Sequence, residues 1–98
     1  MVRIATLVKG RVPLVRSKDF EAAYSTLKST ASLPQGLERS YLLRSIDEPE
    51  SYTIETVWSS REALDAMRGS GKPASVALFE QVGVSPKVEI HEVADTLP

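Results

Sequence analysis

The segment from Tyr52 to Arg68, YTIETVWSSREALDAMR, constrains the fold more than any other part of the chain. Its first seven residues alternate as in a β-strand and are rich in β-branched and aromatic types, which suit a pleated, half-buried surface. Ser59 then precedes Glu62 by three residues, the spacing of a capping box, so a helix is predicted to begin there. The sole tryptophan, Trp58, is therefore predicted to end a strand directly before a helix. Alternation predicts that one face of this strand carries Tyr52, Ile54, Thr56 and Trp58.

Another helix is predicted upstream, between Ser17 and Ser32. Ser17 has the side chain of a good N-cap, and apolar residues then recur at helical spacing. Pro34 disfavours helical backbone at Leu33, and Gly36 can adopt a positive φ, so this helix is predicted to finish near Ser32. The apolar stripe consists of Phe20, Ala23, Tyr24, Leu27 and Ala31.

The remaining segments complete a recognisable order. Alternation predicts strands at Val2–Lys9, Glu38–Ile46 and Lys87–Val93, and residues 74–82 are predicted to form one or two helical turns. The short acidic loop 47–51 predicts a hairpin between the second and third strands. The order strand, helix, strand, strand, helix, strand predicts an α+β, ferredoxin-like βαββαβ fold. Such a fold has a four-stranded antiparallel sheet with its helices on one face.

Composition limits the class of protein. With 98 residues, the chain is expected to form a single domain spanning 1–98. Twelve basic and thirteen acidic residues are dispersed along the chain and give a net charge of −1, so nucleic-acid binding is not expected. The absence of cysteine excludes disulfides and thiolate chemistry, and no apolar run is long enough to cross a membrane. We therefore expect a cytoplasmic protein without a membrane partner.

A ferredoxin-like sheet leaves one face without helices. Apolar residues on that face can be hidden by a second copy packing sheet to sheet, so a homodimer is expected. The alternative is a two-layer monomer with a polar open face, to which Lys9, Arg44 and Glu55 would contribute. In the dimer, Arg44 is expected to face the interface and to pair with Glu55.

Segment 33–67 resembles the antibiotic biosynthesis monooxygenase family of the dimeric α+β barrel superfamily. The likeness rests on a strand that ends in Trp58 before the helix pattern SREALDA, preceded by LPQGLERSYLL. The resemblance implies a homodimer with a central barrel and a small-molecule pocket between each sheet and its own helices. It also implies cofactor-free oxygenation of anthrones and quinols, or binding or degradation of haem. Met67 stands where many relatives have a histidine, and the chain contains no asparagine, which several of these oxygenases use.

Trp58 matches the pocket tryptophan of that family, and a large polarisable ring suits stacking against a flat aromatic ligand. A tryptophan that only fills the core is an equally good interpretation. Tyr24 is a candidate proton donor to a bound oxyanion, because the apolar stripe of its helix is expected to face the same cavity. The full set predicted to bind the substrate is Trp58, Tyr24, Thr56, Ile54 and Met67.

Three residues on other strands are candidate polar contributors: His91, Arg44 and Tyr41. His91 is the only imidazole and a candidate general base or haem ligand. It shares a strand face with Lys87 and Glu89, however, so a solvated or interface histidine is the favoured interpretation. No metal site is predicted, because His91 has no companion at ligand spacing.

Two functions follow as hypotheses. The first is a cofactor-independent monooxygenase: a phenol, quinol or anthrone-like substrate loses a proton, and its carbanion reduces O2 directly, so no cofactor is expected. The second is a non-catalytic protein of the same fold that binds a small hydrophobic or aromatic ligand, or haem. Hydrolase chemistry has no support, because the chain has neither a Ser-His-acid order nor a G-x-S-x-G elbow.

Overall fold

The computed structural model describes residues 2–30 and 33–98, and this part of the chain forms a four-stranded antiparallel sheet with three α-helices. The helices are α1 (Ser17–Thr30), α2 (Arg61–Gly69) and α3 (Ala74–Gln81). The strands, in the spatial order β2-β3-β1-β4, are β1 (Ile4–Arg11), β2 (Leu37–Arg44), β3 (Ser51–Trp58) and β4 (Lys87–Glu92). The predicted α+β, ferredoxin-like βαββαβ arrangement is confirmed, and α3 corresponds to the helical turns predicted at 74–82. None of the helices in the described ranges is long and apolar enough to cross a lipid bilayer.

β3 organises the sheet. It pairs with β1 on one side and β2 on the other, so that Ile4 and Leu37 both lie opposite Trp58. Every second residue of β3 is buried beneath the helices, because side chains alternate between the two faces of a strand. The predicted face is confirmed: it consists of Tyr52, Ile54, Thr56 and Trp58, each at most 8 % exposed.

Two apolar clusters fill the space between the sheet and the helices. The larger is centred on Phe20 of α1 and Phe79 of α3, whose ring centroids are 4.7 Å apart. Phe20 also meets the ring of Tyr52 edge-on, at a centroid distance of 5.0 Å. Gly10 lets Phe79 approach β1, since a Cβ at Gly10 would lie 2.8 Å from the phenyl ring. The smaller cluster joins Ile4, Trp58 and Leu64 of α2.

The capping residue of α2 differs from the sequence prediction. Ser60, not Ser59, is the N-cap: its hydroxyl accepts from the Ala63 N–H at 3.2 Å. The backbone N–H of Ser59 instead donates to the Gly36 carbonyl at 2.8 Å. This hydrogen bond holds the chain in an extended conformation for one residue more, and the helix therefore begins one residue later.

The start of α1 also differs from the prediction. Ser17 is the first residue of the helix and not its cap, since its hydroxyl donates to the Leu14 carbonyl at 2.8 Å. A short 3-10 turn at 14–16 leads directly into the helix, so the backbone is already helical where α1 begins. The predicted end of this helix at Ala31 and Ser32 lies outside the described residues.

The ends of β1 and β2 shift by two residues from their predicted positions. β1 continues beyond Lys9, because Gly10 and Arg11 still pair with β3. β2 ends at Arg44, before the predicted Ile46, because the chain has already entered the turn to β3. The predicted hairpin between β2 and β3 is confirmed by the antiparallel pairing of these strands.

The face of the sheet away from the helices, here called the open face, is partly apolar. Tyr41 and Leu43 of β2 point to it and are 44 % and 45 % exposed. Leu7, opposite Glu55 on the neighbouring strand, also lies there. Lys9 and Glu55 supply charge on this face, as predicted, so the open face mixes apolar and charged side chains.

Arg44 does not belong to the open face. It lies opposite Tyr52 in the β2–β3 register, which places it on the helix side of the sheet. There it forms an ion pair of 3.4 Å with Glu21 of α1. The predicted pairing of Arg44 with Glu55 is therefore wrong, because the alternation of the strands puts these two side chains on opposite faces.

Candidate functional site

A cavity of about 400 Å³ lies between the helices and the helix side of β2 and β3. We call it the Trp58 cavity. Its walls come from both strands and all three helices, and they are mostly apolar. A concave site of this size and character, with a few polar groups, is typical of small-molecule binding. The apolar wall includes Leu27 of α1, Ile54 and Trp58 of β3, Met67 of α2 and Leu78 of α3.

Trp58 is both a core residue and a wall of this cavity. Its side chain is 3 % exposed and packs with Ile4 and Leu64. The indole N–H donates to the hydroxyl of Thr6 on β1, at 3.3 Å. Because this polar atom is already bound within the sheet, the small part of the ring that reaches the cavity is apolar and offers no hydrogen-bond donor.

The polar residues of the cavity include three whose hydroxyl groups are hydrogen-bonded to one another, here called the hydroxyl cluster: Tyr24, Ser40 and Thr56. The Tyr24 hydroxyl donates to Ser40 Oγ at 2.9 Å, and the Thr56 hydroxyl donates to the same oxygen at 3.3 Å. A serine oxygen can accept two hydrogen bonds and donate one. Ser40 thus has one proton left, and no acceptor for it is found among the described residues.

Two charged residues, Glu38 and Arg39, also border the cavity, and their side chains are engaged with groups other than the hydroxyl cluster. Glu38 forms an ion pair of 3.0 Å with Arg3. Arg39 donates to the Tyr41 hydroxyl on the open face, at 3.1 Å. Within the described ranges, the hydroxyl cluster is therefore the group best placed to recognise a polar atom of a ligand.

A tight turn before β2 forms one edge of the cavity. Leu33 and Pro34 line it, and Gly36 two residues later has a φ of +89°. A Cβ on Gly36 would lie 2.4 Å from the Cβ of Ala63 in α2. The turn packs so closely on α2 that only glycine fits, in space and in backbone conformation.

The residues predicted to bind a substrate come together at this cavity. Trp58 and Ile54 form part of its apolar wall, Tyr24 and Thr56 belong to the hydroxyl cluster, and Met67 faces it from α2. Their role in binding stays a prediction. The alternation along β3 predicted that Ile54, Thr56 and Trp58 share one face. The apolar stripes of the two predicted helices added Tyr24 and Met67.

The three predicted polar contributors do not line the cavity. Tyr41 lies opposite Glu55 and points to the open face. Arg44 is on the helix side but is held by Glu21 of α1. His91 lies opposite Ala5, also on the open face.

His91 belongs to a charged cluster on the open face. Its Nε2 lies 3.2 Å from Glu89, and Lys9 and Lys87 approach the same carboxylate at 3.3 and 3.5 Å. The hydrogen bond from His91, followed by that from Lys9, lowers the pKa of Glu89. The predicted strand face shared by His91, Lys87 and Glu89 is confirmed. Among the described residues, no cluster of three histidine or carboxylate side chains could hold a metal ion.

A second group of polar and charged side chains connects α1 to the sheet. The Tyr52 hydroxyl donates to the carboxylate of Glu21, which Arg44 also reaches. Burial, and then the hydrogen bond to Glu21, raise the pKa of Tyr52, while Arg44 opposes the shift. None of the three lines the cavity, and their contacts connect α1, the helix that carries Tyr24, to β2 and β3.

Sequence reasoning missed two residues that shape the site: Ser40 and Thr6. Ser40 faces Thr56 across the β2–β3 pairing, and Thr6 faces Thr56 across the β1–β3 pairing. Both are polar residues at inward-facing positions of a strand, and this pattern could have identified them as candidate site residues. Which inward positions become neighbours depends on the register between strands, and the sequence alone does not give it.

The fold and the cavity define the class of protein: a ferredoxin-like α+β domain with an apolar, small-molecule-sized site between sheet and helices. The family model described as antibiotic biosynthesis monooxygenase matches residues 5–77, and the chain belongs to this family. The resemblance noted in segment 33–67 is thereby confirmed.

Solved structures with this fold include three informative neighbours. SnoaB, a cofactor-independent oxygenase from Streptomyces nogalater, is 19 % identical, with 100 % of this chain and 99 % of that chain covered and a TM-score of 0.74. The heme-degrading protein Rv3592 from Mycobacterium tuberculosis is 18 % identical, with 99 % and 97 % covered and a TM-score of 0.75. A conserved protein from Methanosarcina mazei Go1 is 17 % identical, with 93 % and 92 % covered and a TM-score of 0.72. At these identities the likeness establishes the fold. No curated protein matches the chain.

Proposed function

We propose that the protein is a cofactor-independent monooxygenase acting on a small aromatic substrate, a phenol, quinol or anthrone-like compound, bound in the Trp58 cavity. The observation that carries this proposal is a single cavity that combines an apolar wall, including Trp58, with one hydroxyl cluster. The family of the chain, and the description of SnoaB as a cofactor-independent oxygenase, support the class of reaction.

The apolar wall accounts for binding of the ring system. Trp58, Ile54 and Leu78 present buried hydrocarbon and aromatic surface to the cavity. Covering apolar ligand surface here contributes roughly 25 cal/mol per Å² removed from water. Contact with the part of the indole that reaches the cavity adds a preference for aromatic molecules.

The hydroxyl cluster accounts for activation of the substrate. Because Ser40 accepts from both Tyr24 and Thr56, its own proton can be donated to a phenol or enol oxygen in the cavity. This hydrogen bond strengthens as the oxygen becomes an anion, so it favours loss of a proton from the substrate. The proton passes to water, since Glu38, the carboxylate that borders the cavity, is already paired with Arg3.

In this mechanism the substrate supplies the electrons. For an anthrone-like substrate, deprotonation of the ring CH2 gives a carbanion that adds to O2 and, with a proton, forms a hydroperoxide. Loss of water from the hydroperoxide leaves a ring ketone. One oxygen atom remains in the product and the other leaves as water, so the four electrons taken up by O2 all come from the substrate.

We propose in addition that the protein is a homodimer in which two open faces pack against each other. The exposed Tyr41 and Leu43 support this arrangement, since apolar surface of this kind is stabilised by a partner. The charged cluster around Glu89 lies on the same face, where it can fix the register between the two copies.

Oxygen uptake tests the proposed reaction. Purified protein is mixed with a panel of anthrones, quinols and phenols, and O2 consumption is followed with an electrode. We expect acceleration for at least one substrate, and a loss of roughly 100-fold in kcat for Ser40→Ala, the size of effect of one oxyanion donor. Trp58→Phe is expected to raise KM. Ser25→Ala, at an exposed position on α1, is the matched control and leaves the rate unchanged.

Each other outcome has a definite meaning. If no substrate is consumed and the fluorescence of Trp58 is still quenched saturably by the same compounds, the protein is a binding module and the monooxygenase proposal fails. A shift of the Soret band on titration with haem identifies a haem-binding protein instead. A rate that Ser40→Ala and Ser25→Ala affect equally removes the hydroxyl cluster from the mechanism.

A further inference from the structure

A second cavity, of about 340 Å³, lies on the same side of the sheet, between β1, β4 and the helices α2 and α3. Met67, Pro73 and Ser75 line both this cavity and the Trp58 cavity. These three residues therefore form the partition between two neighbouring spaces. We call the second space the β4 cavity.

The floor of the β4 cavity is apolar and incompletely covered. Val88 and Ile90 lie opposite Val8 and Thr6, so they point to the helix side of the sheet. Val8 and Thr6 are at most 8 % exposed, whereas Val88 and Ile90 remain 46 % and 37 % exposed. The helices thus cover β1 but not β4, and two branched apolar side chains are left facing an open space.

A single charged side chain, Arg68, borders this apolar floor. It stands near the end of α2, lines the β4 cavity and is exposed. Within the described ranges its guanidinium has no ion pair or hydrogen bond, whereas Arg61 on the same helix pairs with Asp65 at 3.3 Å. Glu92, the acidic residue on this face of β4, does not line the cavity.

We infer that the β4 cavity is a binding site for a small apolar carboxylate. The hydrocarbon part lies on Val88 and Ile90 and removes their exposed surface from water. The carboxylate pairs with Arg68, whose planar guanidinium matches it with two parallel donors. Ser75, on the partition, is a polar residue that also lines this space. This site does not depend on any reaction in the Trp58 cavity.

Methyl-resolved NMR titration tests the inference with naphthalene-2-carboxylate as the probe. Saturable shifts are expected for the methyl groups of Val88 and Ile90. Arg68→Gln is expected to raise the Kd about tenfold, the loss of a solvent-exposed charge pair with the carboxylate. Arg61→Gln is the matched control, because it removes an arginine from the same helix without touching the cavity.

Two comparisons make the result decisive. The uncharged 2-naphthalenemethanol is expected to bind several-fold more weakly than the acid, and Arg68→Gln is expected to abolish that difference. Equal binding by Arg68→Gln and Arg61→Gln overturns the inference, as does equal affinity for the acid and the alcohol. Shifts confined to Leu27 and Leu78 also overturn it, because they place the probe in the Trp58 cavity. None of these readouts requires turnover, so they are independent of the proposed monooxygenase activity.

Discussion

The indole N–H of Trp58 donates to the hydroxyl of Thr6 across the pairing of the two central strands, at 3.3 Å. Both side chains are nearly inaccessible to solvent, at 3 % and 8 % exposure. Thr6 lines the β4 cavity and Trp58 lines the Trp58 cavity, so this hydrogen bond joins the walls of the two spaces. It also holds the ring in place at the wall of the Trp58 cavity.

Replacing Thr6 by valine removes this acceptor while keeping the shape of the side chain. The buried indole N–H is then left without a partner, and we expect a loss of roughly 1–2 kcal/mol in the free energy of unfolding. Urea unfolding followed by the fluorescence of Trp58 measures the change. Thr6→Ser keeps the hydroxyl and serves as the control, although it loses a methyl group. A valine variant as stable as the wild type contradicts the role assigned to this bond.

The two adjacent serines before α2 are expected to differ in their contribution to stability. Ser60→Ala removes the side-chain acceptor for the Ala63 N–H and is expected to cost about 1 kcal/mol, the usual effect of losing an N-cap. Ser59→Ala keeps the backbone hydrogen bond to Gly36 and is expected to cost less. Chemical denaturation of both variants measures the difference. A larger loss for Ser59→Ala would support the capping box predicted from the sequence.

Gly36→Ala is expected to destabilise the protein by about 2 kcal/mol or more. The substitution strains a backbone with φ of +89° and brings a methyl group 2.4 Å from the Cβ of Ala63. Because the turn edges the Trp58 cavity, ligand affinity is expected to fall as well. Gly69→Ala is the control, since space around Gly69 is open. Thermal unfolding of both variants provides the measurement, and equal Tm values for them would contradict the packing described.

Stability is expected to fall in alkaline solution through Tyr52. Its pKa is raised in the folded state by burial and by the hydrogen bond to Glu21, so the folded protein holds the phenolic proton more tightly than the unfolded chain. The resulting stabilisation is present below the ordinary pKa of 10.0 and is lost as the pH rises through the higher folded-state value. Urea unfolding between pH 8 and pH 11 measures the decline.

Tyr52→Phe removes this titrating group, and its stability is expected to depend less steeply on pH above 10.0. The variant should also be less stable at neutral pH, because the hydrogen bond to Glu21 is lost. Tyr41→Phe, which alters a tyrosine on the other face of the sheet, is the control for general alkaline effects. Equal slopes for wild type and Tyr52→Phe would remove Tyr52 as the cause.

The proposed dimer predicts that charge on the open face separates the two copies. Leu43→Glu places a carboxylate on the edge strand β2 within the proposed contact, where burial without a partner is costly. Sedimentation is expected to give twice the chain mass for the wild type and the chain mass for Leu43→Glu. Ile46→Glu, at a position that is 96 % exposed in the turn between β2 and β3, is the control and should sediment as the wild type does. A monomeric wild type contradicts the proposal.

The sequence predicted the layout and much of the cavity wall. Trp58 and Ile54 were correctly placed on one buried face, because alternation along a strand is a local property. Arg44 was assigned to the wrong face of the sheet. Alternation along β2 shows which residues share a side with Arg44, but which side faces the helices, and the partner Glu21 on α1, depend on the tertiary structure. The hydroxyl cluster needed the pairing of Ser40 with Thr56, which no local pattern indicates.

The amino-acid sequence by itself determined the order of strands and helices and the inward face of β3, because these depend on periodicities of two and 3.6 residues. Only the tertiary structure decided that Ser60 caps α2, that Thr6 holds Trp58, and that β4 is left partly uncovered beside Arg68. Each of these depends on strand register and on how far the helices extend over the sheet. Those distances are set by packing between residues far apart in the chain, and a local pattern carries no information about them.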